Sequence, residues 1–413
     1  MKLRDYQIKL SELACEKLHR LKIAYLCMEV RTGKTLTALN AAQLFGSKSV
    51  LFLTKKKAIE DAKKDFESFG FTFDLEVCND ESLHKIDGDF DLLIHDEHHR
   101  FGSFPKPSQR TKLLKMKFGH LPMIFLSGTP FPESYSQVYH QFFVSDYSPF
   151  KEHKNFYKWS KEFVNVTQKQ LGYATVNDYS NADYSKIEPF IDKYMIKYTQ
   201  EKAGFTSKIN ETVLYCEMQE STYKLCNRIK KDRVIESKED AVLADTGVKL
   251  MQKLHQMYSG TVKTEGGKSV VFDDSKAWFI DYEFRGKKIA IFYKFKAELK
   301  MLKNFFGNKL TTELAEFNTT KKWIALQIVS GREGVSLKKA DCLVFMNIDF
   351  SAVSYWQARD RLTTKERTEN DVYWIFSRGG IEEKIYKTVI QKKDFNLRVF
   401  NEVQSAECRV KKK

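Results

Sequence analysis

Short apolar runs alternate with amphipathic stretches through the first part of the chain. "KIAYLCME" (22–29), "KSVLFLT" (48–54), "FDLLIHDE" (90–97) and "PMIFLSGTP" (122–130) each have an apolar centre closed by polar or turn residues. Runs of this length, apolar on both faces, predict buried strands of a parallel sheet. Between the first two, "TLTALNAAQLFG" predicts a helix that Gly46 closes at its C-terminal cap. Strands alternating with helices imply an α/β domain whose ligands gather at the carboxyl ends of the strands. From Phe131 to Phe205 the pattern changes to aromatic residues at helical spacing, as in "FPESYSQVYHQFFVSDYSPFKEHKNFYKWSKEF". A second alternating region follows. It has strands at "TVLYCEM", "KKIAIFY", "WIALQIVS", "ADCLVFMN" and "VYWIFS", helices through Arg233 and around "VKLMQKLHQMY", and a hairpin turning at Gly266-Gly267. The expected organisation is an α/β domain over 1–135, a helical insertion over 136–205, a second α/β domain over 206–400 with a helical and hairpin insertion near 219–272, and a basic tail over 401–413.

Composition narrows the functional classes. At 413 residues with 42% hydrophobic and 14% aromatic content, the chain can bury two cores and is not a disordered sequence. Its 69 Lys+Arg against 54 Asp+Glu give a net charge of +15, which favours a polyanionic partner, nucleic acid above all. Seven cysteines form no CxxC pair, which argues against a zinc ribbon or a disulfide framework and suits a reducing cytoplasm. No apolar run reaches membrane-spanning length, so a membrane partner is not expected.

The chemistry-bearing residues fall at the strand ends. "MEVRTGKT" (28–35) follows a buried strand and opens a helix, the context of a phosphate-binding loop, although Met28 stands where the first glycine usually does. Gly33 lets the backbone and helix N-terminus turn toward phosphates, Lys34 reaches the β- and γ-phosphates, and the Thr35 hydroxyl suits magnesium. In "HDEHH" (95–99), Asp96 suits the same metal and Glu97 a general base for water. Ser127 and Thr129 of "SGTP" close the next strand and could couple a γ-phosphate site to a neighbouring domain. Late in the chain, "QARDR" (357–361) offers Arg361 as a cation for charge developing in hydrolysis. Taken singly, each of these is as well read as an ordinary turn or surface group.

Their order is more specific. A phosphate loop, D-E-x-H, S-G-T-P and Q-x-x-x-R in succession resemble the helicase superfamily two ATPases. His99 as the fourth letter places the resemblance in the DExH branch. "LRDYQ" (3–7) resembles that group's N-terminal glutamine motif. Within the superfamily the chain looks most like compact bacterial or viral Swi/Snf-type DNA translocases. The supporting segments are "SGTPFPESYSQVYHQFFVSDYSPF", "YMIKYTQE", "LYCEMQESTYKL", "DSKAWFIDYEFRGKKIAIFYKF" and "GGIEEKIYKTVIQKK". The resemblance implies two RecA-like domains with parallel sheets facing across an ATP cleft. It also implies a DNA-stimulated ATPase using ATP and Mg2+, with DNA as partner, RNA not excluded, in the cytoplasm of a bacterium or of a virus-infected host.

Residue by residue, the resemblance assigns Arg4, Gln7, Arg31, Thr32, Gly33, Lys34, Thr35, Gly334 and Gln357 to nucleotide binding, with Gln7 at the adenine. Thr35 and Asp96 hold the metal, and Lys34, Glu97 and Arg361 are catalytic. His99, Ser127 and Thr129 are coupling residues. Lys55 and Lys56 of "TKKK", with Gly331 and Arg332, lie on the expected nucleic-acid track. The sequence departs from the family pattern in two places. "QIVSGREGVSL" (327–337) puts Arg332 where motif five has glycine, and Thr364 replaces a second motif-six arginine, with Lys365 and Arg367 nearby. These departures leave open a strand-separating DNA or RNA helicase, and an inactive nucleic-acid-binding scaffold.

Overall fold

A computed structural model describes residues 2–171, 174–204, 208–236, 240–331, 337–359, 362 and 369–391. The chain divides into two compact units at Phe205–Thr206. Each is built on a six-stranded, wholly parallel sheet.

The strands of the first unit are β1 (Ile23–Met28), β2 (Ser49–Thr54), β3 (Asp74–Asn79), β4 (Leu92–His95), β5 (Met123–Leu126) and β8 (Met195–Tyr198). Their order across the sheet is β3-β2-β4-β5-β1-β8. A separate antiparallel hairpin, β6 (Thr167–Leu171) and β7 (Ala174–Asp178), lies between β5 and β8 in sequence. The helices are α1 (Asp5–Leu21), α2 (Lys34–Phe45), α3 (Ile59–Phe69), α4 (Gln109–Phe118), α5 (Gln137–Phe143), α6 (Phe156–Phe163) and α7 (Tyr184–Ile191).

Side-chain alternation explains why the strands read as continuous apolar runs. Ile23, Tyr25, Leu51, Leu93, Met123 and Phe125 enter one core with residues of α4 to α7. Ala24, Leu26, Met28, Val50, Phe52, Ile94 and Leu126 enter the other with α1 and α2. Both faces are covered, as parallel sheets require. In the insertion, Phe142, Phe150, Phe156 and Trp159 are buried core residues, whereas Tyr157 is 42% exposed. The end of that segment returns to the sheet as β8, paired in parallel with β1 so that Met28 lies opposite Tyr198.

The second unit repeats the architecture. Its sheet consists of β9 (Lys208–Cys216), β14 (Ile289–Tyr293), β15 (Leu310–Thr311), β16 (Trp323–Gln327), β17 (Cys342–Phe345) and β18 (Glu369–Ser377), in the order β15-β16-β14-β17-β18-β9. Two short hairpins, β10 (Val234–Glu236) with β11 (Ala241–Leu243) and β12 (Thr261–Lys263) with β13 (Ser269–Val271), stand outside it. Gly267, at φ 85°, makes the turn of the second hairpin. The α/β class expected from the alternating pattern is therefore the fold observed, two parallel six-stranded sheets with surrounding helices, an architecture consistent with two RecA-like domains.

Candidate active site

In the first sheet β5 lies between β1 and β4. Register places Leu26 opposite Leu126, and Phe125 opposite His95. The residues that follow these strands therefore emerge side by side: the loop at 29–33, the turn at 127–130 and the carboxylates at 96–97. Two strand spacings separate β1 from β4, roughly 9–10 Å, and Lys34 is near enough to act electrostatically on Asp96.

The loop has two residues in the left-handed region, Arg31 at φ 63° and Gly33 at φ 78°. Gly33 is required twice over: its φ favours glycine, and a Cβ there would collide with the side-chain amide of Gln7. Among the described residues no side chain caps α2, and its first turn holds no acidic residue. Its N-terminal N–H groups and helix dipole are thus arranged for an anion. Lys34 and Thr35 open this helix, and both are half-buried. The Lys34 ammonium donates to the Glu29 carbonyl at 3.4 Å, and a Cβ on Gly128 would stand 3.7 Å from its Nζ. The phosphate loop and the SGTP turn are therefore in contact.

Helix α1 holds the loop from behind. Gln7, Ser11, Ala14 and Leu18 form its buried stripe. The Gln7 carbonyl oxygen Oε1 accepts from the Arg4 N–H at 2.9 Å, and its Nε2 donates to the Gly33 carbonyl at 3.3 Å. The Tyr6 hydroxyl donates to the Thr32 carbonyl at 3.0 Å, and Ser11 Oγ donates to the Thr37 carbonyl at 2.9 Å. Gln7 is buried with both ends of its amide engaged, so in this structure it shapes the loop.

On β4's side, Asp96 accepts from the Thr54 hydroxyl at 3.0 Å and from the Glu97 N–H at 3.0 Å. Burial, reinforced by the neighbouring Glu97 carboxylate, pushes its pKa up to about 6. Lys34 and the Thr54 hydrogen bond act the other way. A carboxylate held this way beside a second one is under-compensated, which fits a divalent cation. The Thr129 hydroxyl is buried without a hydrogen-bond partner among the described residues, a donor left for an oxygen ligand. The residues thus fit magnesium at Asp96 and Thr35; bound there, it would supply charge neutralisation at the β- and γ-phosphates.

His99 connects the two turns. Its Nδ1 lies 2.9 Å from Ser127 Oγ and 3.3 Å from Glu97 Oε2, and Ser127 Oγ accepts from the Thr129 N–H at 3.1 Å. Beneath them His95 stands between His98 (Nδ1 to Nδ1, 2.6 Å) and Asp80, which also pairs with Arg100 at 2.7 Å. Burial holds His98 neutral, its Nε2 donating to the Gln141 carbonyl at 2.8 Å. The Gln141 side chain accepts from Tyr25 and donates to the Pro130 carbonyl at 2.7 Å, joining the insertion to the SGTP turn.

The expected nucleic-acid residues are placed differently. Lys55 and Lys56 follow β2; Lys55 is half-buried and Lys56 exposed. Gly331 ends a helical turn after β16. Arg332, Gly334, Arg361, Thr364, Lys365 and Arg367 lie outside the described residues, as does the side chain of Gln357. Sequence reading missed Thr54, which it grouped with the lysines after it, and Tyr6, Ser11 and Gln141. Their roles depend on contacts between distant segments. It also missed the part played by Arg359 of "QARDR", whose guanidinium donates to Glu211 at 2.6 Å beside Tyr355 and Trp374.

Residues 1–78 match the family described as type III restriction enzyme, res subunit. The matched stretch, less than half of the chain, spans α1, β1, the phosphate loop, α2, β2 and α3. No curated protein sequence matches the chain. The match and the site together point to a helicase-like ATPase.

Proposed function

We propose that the chain is an ATP-driven DNA translocase of the Swi/Snf type. The carrying observation is the convergence of three sequence-distant motifs on one strand end: Lys34 beside Gly128, and His99 bridging Glu97 to Ser127. In this reading the N–H groups of α2 and Lys34 bind the β- and γ-phosphates. Asp96 and Thr35 hold the magnesium. Glu97 takes the proton of the attacking water, and His99 passes the state of that carboxylate to the SGTP turn. Arg361 keeps the role that the resemblance gives it. Cycles of binding and hydrolysis would then drive movement along a phosphate backbone, which needs phosphate contacts rather than base reading. The net charge of +15 supports a polyanionic track.

The test compares ATP turnover alone and with duplex DNA, single-stranded DNA and RNA, together with displacement of a triplex-forming strand. Duplex-stimulated turnover and triplex displacement without strand separation are expected. Unwinding, or stimulation by RNA alone, would replace translocation with a strand-separating helicase. Absence of turnover under every condition would leave a nucleic-acid-binding scaffold.

A further inference from the structure

The phosphate loop of this chain is held only in part by its own bonds, in which the Thr32 hydroxyl donates to the Glu29 carbonyl at 2.7 Å and Lys34 donates to the same carbonyl at 3.4 Å. Between Met28 and Thr32 it has no glycine, yet Arg31 occupies the left-handed region at φ 63°. Further constraint comes from the segment that follows β8. Tyr198, the last residue of β8, accepts the Glu29 N–H at 3.0 Å on its carbonyl. Two residues on, the Gln200 N–H donates to the Glu29 carboxylate at 2.7 Å, and its side-chain Nε2 donates to the Val30 carbonyl at 2.9 Å. The Tyr198 ring stacks on Tyr6, with centroids 4.8 Å apart and planes 18° from parallel, and Tyr6 in turn holds the Thr32 carbonyl. Residues 29, 30 and 32 are thus each gripped from outside the loop, on both sides of the strained Arg31.

We propose that Gln200 is a positioning residue for nucleotide binding, fixing Glu29 and Val30 so that the glycine-poor loop presents Gly33 to Thr35 to a triphosphate. The inference rests on the nucleotide reading of this loop. Among the described residues Gln200 hydrogen-bonds Glu29 and Val30 rather than a phosphate-binding group, so its loss weakens binding without altering the chemical step.

The test measures Mg-ATP affinity by calorimetry, and turnover at saturating ATP, in the wild type, Gln200→Met, Arg31→Gly and the double variant. Gln200→Met keeps the side-chain length and removes the donor. Loss of this one partly buried hydrogen bond predicts affinity weaker by about three- to tenfold, with kcat within about twofold of the wild type. If the bond serves to hold Arg31 in its unfavourable conformation, Gln200→Met weakens binding less in an Arg31→Gly background. Gln200→Asn, which keeps the amide but retracts it, reads the same effect should Gln200→Met not fold. Unchanged affinity in Gln200→Met, or an equal penalty in both backgrounds, would overturn the inference alone. A wild-type protein that binds no ATP, or a Lys34→Ala variant that binds it equally well, would overturn the nucleotide reading and this inference with it.

Discussion

Replacing Asp96 by asparagine should stabilise the nucleotide-free protein at neutral pH while abolishing turnover. The wild-type carboxylate is partly buried beside Glu97, with a pKa pushed from 3.8 to about 6. That displacement corresponds to about 3 kcal/mol at pH values above both limits. Partial exposure to solvent lowers the expected gain to about 1–2 kcal/mol. Asparagine can keep both contacts, since its oxygen accepts the Glu97 N–H and its amide donates to a rotated Thr54 hydroxyl. The sign follows from proton binding: the folded state takes up a proton below about pH 6, the unfolded state only below about 3.8. Wild-type stability relative to the variant therefore falls as pH rises from about 4 to about 6, and the gap is complete above that range. For a unit of this size the shift is about 2–8 °C in Tm. Calorimetric melts at pH 7.5 and pH 4.5, without nucleotide or magnesium, measure it. An Asp96→Asn variant no more stable than wild type at pH 7.5, or a gap equal at the two pH values, would refute the electrostatic account.

Other residues give independent readings. Gly33→Ala places a methyl group against the Gln7 amide at a left-handed position and should destabilise by about 1–3 kcal/mol, with loss of ATP binding; urea unfolding and nucleotide titration check it. Glu211→Gln removes the charge that Arg359, Tyr355 and Trp374 converge on and should cost about 2–4 kcal/mol, read as a lower urea midpoint. If Lys56 contacts a DNA phosphate, Lys56→Ala should reduce the salt slope of DNA binding by about 1 without changing ATP affinity, measured by anisotropy across a salt series.

The inner strands were legible because β1, β2, β4 and β5 are buried on both faces, which makes their sequences nearly continuous apolar runs. The edge strand β3, "DLEVCN", alternates with charged residues and leaves no such run. The two-residue β15 is too short to leave a pattern. The site residues that mark strand ends were likewise readable from Gly33, Lys34, Asp96 and the SGTP turn. What holds them was not. Gln200 and Val30 meet only because β8 pairs with β1, and Gln141 reaches Pro130 only because α5 packs under β5's end. Gln7 was legible as a site residue, but its place behind the loop came from the fold of α1 against α2.

The proposed mechanism needs one nucleotide site formed by the loop, the carboxylates and the SGTP turn of the first unit. Parallel measurement of Mg-ATP binding and hydrolysis in the wild type, Lys34→Ala and Glu97→Gln tests it most directly. The expected result is that Lys34→Ala loses binding and hydrolysis together, while Glu97→Gln still binds ATP but turns it over at least about a hundredfold more slowly. Hydrolysis that persists unchanged in either variant would contradict it.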